Sequence, residues 1–199
     1  MMQSVLLIFA TCYDDVTRRT YSIAQRLLLK AKQSGIATLT LFEAAATGTE
    51  LLSATASRPT VIAIYSHGDL DGAILAQDQQ PCWTKQTVPD LSGIMLFAHA
   101  CRGIRWLRDQ AEHHKARLLV GYEGDLFTPA NGSAQFWEIY QEVHSFVPQH
   151  LTARADDAWV RSEFYELCTK RFHELNLDQT RPLMEIVAIQ QSRDGLVFV

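Results

Sequence analysis

Two stretches decide how this chain folds: Val61-Ile62-Ala63-Ile64-Tyr65-Ser66-His67-Gly68 and Ile94-Met95-Leu96-Phe97-Ala98-His99-Ala100-Cys101-Arg102-Gly103. Each is a short apolar run that stops abruptly at a reactive side chain close to a glycine. Continuous apolar runs bounded in this way predict strands buried on both faces, the pattern of a parallel sheet. In open α/β sheets, ligands and chemistry gather at the carboxyl ends of the strands. An imidazole and a thiol at two such ends are candidates for one shared site.

Working outward, strand and helix patterns alternate. Residues 5–10 predict a strand, 17–33 a helix stopped at Gly35, 36–42 a strand, and 47–57 a short helix. The third and fourth strands fall at 60–66 and 93–98, with a small hairpin near 73–81 between them. A helix at 104–115, a fifth strand at 117–120 and amphipathic helices at 134–146 and 156–175 follow. Residues 185–190 and 196–199 predict two short strands around an Asp194-Gly195 turn. Such alternation implies a doubly wound, mainly parallel sheet flanked by helices in three αβα layers. No repeat or linker divides the chain. A single domain over 1–199 is expected, with a catalytic core at roughly 1–147 and C-terminal helices and short strands at 148–199.

Composition narrows the function. The 199 residues are 47% hydrophobic with a net charge of −4, enough for a substantial core and without a basic surface for nucleic acid or anionic lipid. The apolar run within residues 1–10 is too short for a membrane span and has no basic flank, so a cytoplasmic setting is expected. The cysteines at 12, 82, 101 and 168 are scattered, which argues against a disulfide framework. No metal-ligand spacing appears, and neither metal nor cofactor is expected.

His99-Ala100-Cys101-Arg102-Gly103 differs at one position from the caspase active-site signature, Gln-Ala-Cys-[Arg/Gln/Gly]-Gly with a histidine upstream. Ser66-His67-Gly68-Asp69, followed by Gly72 and Ile74, is similar to the caspase histidine strand and its hairpin. Leu119-Val120-Gly121-Tyr122-Glu123-Gly124-Asp125 resembles the segment after the catalytic helix in CHAT and separase peptidases. The chain therefore resembles the caspase-like cysteine peptidases of clan CD over roughly residues 60–145. His99 stands where that signature has glutamine, and the interval from His67 to Cys101 is shorter than the signature's.

The chemistry read from the residues agrees with the resemblance. A thiolate attacks carbonyls, and a nearby imidazole favours its formation. Cys101 is thus the candidate nucleophile and His67 the candidate acid/base. Placement ahead of a helix at 104–115 predicts a lowered Cys101 pKa. The resemblance implies an oxyanion hole from the backbone N–H groups of Gly68 and Cys101. It also implies a pocket for the substrate residue before the cut, lined by His99, by Tyr13-Asp14-Asp15 and by Glu123-Gly124-Asp125. These acidic clusters favour cleavage after Arg or Lys, with Asp125 as the main charge. Aspartate selection of the caspase type would instead need the arginines at 18, 19 or 102. Asp14 and Asp15 also read as capping residues for the helix at 17–33. The expected partner is a protein or peptide substrate, with a regulatory protein restraining or activating the site. The other expectation is a catalytically inert or conditionally active binding module of the same fold.

Overall fold

The computed structural model of the chain describes residues 4–84, 86–129, 131–153, 156–177, 180 and 182–199. Among these, six strands form one sheet in the order β2-β1-β3-β4-β5-β6. The strands are β1 Val5–Ala10, β2 Ala37–Phe42, β3 Val61–Tyr65, β4 Met95–His99, β5 Leu118–Tyr122 and β6 Leu196–Phe198. The first five run parallel, and β6 pairs antiparallel with β5 at one edge.

The uninterrupted apolar runs explain the layering. In a strand, alternate side chains leave by opposite faces, so a run without polar alternation buries both. Leu6, Ile8, Ala63, Tyr65, Phe97 and Val120 meet one face's helices, α1 Asp15–Gln33, α5 Ala134–Thr152, α6 Asp157–Asn176 and α7 Leu183–Gly195. Leu7, Phe9, Ile62, Ile64, Leu96 and Leu119 enter the opposite core with α2 Gly48–Thr55, α3 Arg105–Asp109 and the loop around Trp83. The result is a three-layer α/β molecule. The chain leaves β1 toward β2 on one side and β3 on the other. The β1/β3 boundary is therefore the point where strand order reverses, and a crevice opens at the carboxyl ends there.

Two expected elements differ. Residues 185–190 are not a strand but part of α7, whose buried residues Glu185, Ala188, Ile189 and Ser192 recur at helical spacing. The β-branched residues Ile186, Val187 and Ile189 suggest a strand when read locally; the three-to-four-residue period of burial shows which preference prevails. The helix expected at 104–115 is split into α3 and α4 Ala111–His114, broken at Gln110. No helix among the described residues is long and apolar enough to cross a membrane.

Candidate active site

Three strand ends converge on the crevice. Beyond β1, Asp14 caps α1: its Oδ1 accepts from the Thr17 N–H at 2.8 Å, while the Asp14 N–H donates to Thr17 Oγ1 at 3.0 Å. The spacing Asp14-x-x-Thr17 is a capping box, which settles two of the N–H groups orphaned at that end. His67 follows β3 and Cys101 follows β4, both partly buried. Below them the β1 and β3 ends are joined by a hydrogen bond between the Thr11 and Ser66 hydroxyls at 2.9 Å.

His67, Cys101, His99 and Ser66 share one cavity of about 260 Å³, closed by Val16 and Thr20 of α1 and by Leu126, Phe127 and Thr128. Gly68 presses against the Cys101 backbone, and a Cβ at that position would overlap the Cys101 carbonyl oxygen. Only glycine allows that approach. Gly72, at φ +85°, seats the hairpin on the turn after Cys101; a Cβ there would stand 2.7 Å from the Arg102 carbonyl oxygen.

The polar partners divide in an unexpected way. Asp14 Oδ2 lies 2.9 Å from His67 Nε2. The Cys101 thiol is bonded elsewhere: the Leu126 N–H donates to Sγ at 3.3 Å, and the thiol lies 3.8 Å from the Leu126 carbonyl. Burial raises the Cys101 pKa, and its contact with the Leu126 backbone and the Arg102 charge offset this only in part. The expected lowering is thus reversed in direction. Its assumed cause is also missing, since a five-residue α3 offers little dipole and the thiol makes no hydrogen bond to His67.

His99 lies under the cavity, 1% exposed. Its Nε2 reaches the Tyr140 hydroxyl at 3.4 Å, and its Nδ1 has no hydrogen-bond partner. Burial pushes its pKa down to about 3, so the ring is neutral. None of the acidic residues expected in the pocket lines the cavity itself, and of them Asp14 alone, through His67, bonds to a lining side chain among the described residues. Asp125 is exposed and grips Arg102 at 2.9 Å, Glu123 pairs with Arg108, and Asp15 pairs with Arg18 at 2.6 Å. Arg102 also donates to the Leu70 carbonyl at 3.2 Å, so Asp125 braces the turn that follows the cysteine. Among the described residues no group of three or more His, Cys, Asp or Glu converges as metal ligands.

Sequence reasoning missed the backbone of Leu126 and the side chain of Gln191. From α7, Gln191 donates to the Asp125 carbonyl at 2.7 Å and accepts from the Phe127 N–H at 2.8 Å. It fastens the loop after β5 over the thiol. No local pattern marks such a residue; the contact exists only once α7 lies beside β5.

No family model and no curated protein matches the chain. Among solved structures it is similar to a Streptococcus pneumonia TIGR4 flavodoxin at 12% identity, with a TM-score of 0.45, over 76% of this chain and 99% of that one. That likeness is too weak to bear on function.

Proposed function

We propose that the protein is a caspase-like cysteine endopeptidase acting through Cys101 and His67. One observation carries this reading. Two reactive side chains, from the ends of adjacent strands, line the same cavity, with Gly68 held against the Cys101 backbone. The order of the strands supports it, since the site lies beside the switch point of a doubly wound sheet.

In the proposed reaction His67 takes the thiol proton while Sγ bonds to the scissile carbonyl carbon. The resulting oxyanion is held by backbone N–H groups, for which Gly68 and Cys101 are the candidates. His67 then returns its proton to the departing amine as the C–N bond breaks. Water, deprotonated by the same imidazole, releases the acyl group and restores the thiol.

The cavity's lining favours an uncharged side chain before the cut over the basic one read from the sequence. Among the described residues no carboxylate lines it, its floor is the neutral His99, and Asp125 already holds Arg102. A guanidinium entering it would lose water without meeting a counter-charge.

The conditionally active module remains a second reading, favoured by the thiol's attachment to Leu126 instead of His67. Peptide libraries varying the residue before the cut decide between them. Cleavage after uncharged residues, lost in both Cys101→Ala and His67→Ala with folding intact, is expected. Equal cleavage by Cys101→Ala would overturn the peptidase, and preference for Arg, Lys or Asp would overturn the pocket assignment.

A further inference from the structure

We propose that Asp14 is the positioning residue for His67, so that the site works as Cys101–His67–Asp14 rather than as a pair; the proposal rests on the peptidase reading above. The carboxylate divides its two oxygens between two tasks, Oδ1 for the Thr17 N–H and hydroxyl, each at 2.8 Å, and Oδ2 for His67 Nε2 at 2.9 Å. Bonds to the cap fix the rotation of the carboxylate, and that aims the second oxygen at the imidazole. Strand order puts the two together: β1 and β3 are neighbours in register, and the loops leaving their carboxyl ends carry Asp14 and His67. Tyr13 adds a tilted ring contact with His67 at 5.8 Å between centroids.

The chemical consequence is a choice of tautomer. An ionised carboxylate only accepts, so the ring nitrogen facing it must carry hydrogen. Nε2–H then donates to Asp14, and Nδ1 becomes the basic nitrogen that can take the thiol proton. Asp14 is kept ionised. Burial opposes its charge, but hydrogen bonds from the Thr17 backbone and hydroxyl and from His67 outweigh that and hold its pKa below the ordinary value. The helix N-terminus adds a favourable field. An acceptor fixed on one side of the imidazole also supports the positive charge that forms when the ring is protonated, the role a third residue plays in nucleophile–base–acid arrangements.

Because the cap and the histidine contact use different oxygens, they can be separated. Asp14→Ser keeps a good N-cap but lacks the second oxygen; Asp14→Ala loses both. On a peptide that the wild type cleaves, both variants should lower kcat by about 10–100-fold, the scale for losing the partner that orients a functional imidazole, with KM within about threefold. Only Asp14→Ala should also lose several degrees in Tm. Long-range nitrogen NMR of the wild type at pH 8 should show His67 protonated at Nε2, and Asp14→Ser should show a mixture or the other tautomer. The proposal is overturned if Asp14→Ser keeps wild-type kcat, if activity in the two variants follows Tm, or if wild-type Nε2 carries no proton. If the wild type cleaves no peptide, the peptidase reading fails by itself, and the NMR tautomers of wild type and Asp14→Ser still decide the role of Asp14.

Discussion

Cys101 is a thiol governed by its burial. Apolar surroundings raise its pKa, and the Leu126 N–H, though directed at Sγ, does not reverse the effect. Since the thiolate is the nucleophile, alkylation by iodoacetamide should climb with pH from 7 to 9, approaching about tenfold per unit while the thiol stays mostly protonated. It should still outpace Cys82 and Cys168, which burial pushes up to about 12. Mass spectrometry of each cysteine across that range checks both points; a rate flat with pH would mean a pre-formed thiolate. Gly68 is the other residue on which the site turns. Because an added Cβ would overlap the Cys101 carbonyl, Gly68→Ala should force the two loops apart. The expected cost is about 1–3 kcal/mol, the range for overpacking, with loss of most hydrolysis. Denaturant unfolding and peptide turnover measure the two effects, and full activity in Gly68→Ala would show that the close approach is dispensable.

At the scale of elements, the C-terminal helix reaches into the site through one side chain. Gln191 holds both flanks of Leu126, so Gln191→Ala should release the loop from the thiol. Two hydrogen bonds are lost, at about 1 kcal/mol each, and Cys101 alkylation should quicken about threefold or more. An unchanged alkylation rate would mean that the loop is held by its apolar contacts instead. The sequence showed the strands well, because runs such as Val61–Tyr65 and Met95–His99 are apolar throughout and end at breaks. It placed His67 and Cys101 at neighbouring strand ends for the same reason, since each lies just beyond such a run. Helix α7 was obscured because its β-branched residues locally imitate a strand, while its helical period shows only in which residues are buried. Asp14 was legible as a cap, which is a matter of three-residue spacing, but its second oxygen meets His67 across 53 positions of sequence. Asp125 is a similar case: sequence places it in the loop after β5, and only packing shows it turned onto Arg102.

The whole molecule stores two neutral imidazoles between the sheet and α5. His99 and His144 stack edge to face at 4.3 Å, and His144 is bonded to the Tyr122 hydroxyl at 3.2 Å and the Ser192 hydroxyl at 3.0 Å. Burial lowers both pKa values, to about 3 for His99 and well below the ordinary value for His144. The unfolded chain, by contrast, protonates these rings near pH 6.5. Between those limits the unfolded state binds more protons than the folded one, so stability falls as pH falls and levels off above about pH 6.5. For His99 the loss between pH 7.5 and 5 is about 2 kcal/mol, a large share of a typical domain's stability, and His144 adds to it in the same direction. The carboxylates lowered in the fold, such as Asp14, act in a separate window near pH 4 and below, which leaves the step from 7.5 to 5 to the histidines. Urea unfolding at those two pH values should show the loss, and His144→Phe should reduce the difference, even if that variant is less stable at neutral pH. Equal stability at pH 7.5 and 5 would mean that the folded core takes up protons as readily as the unfolded chain does, and that the His99–His144 pair is open to water.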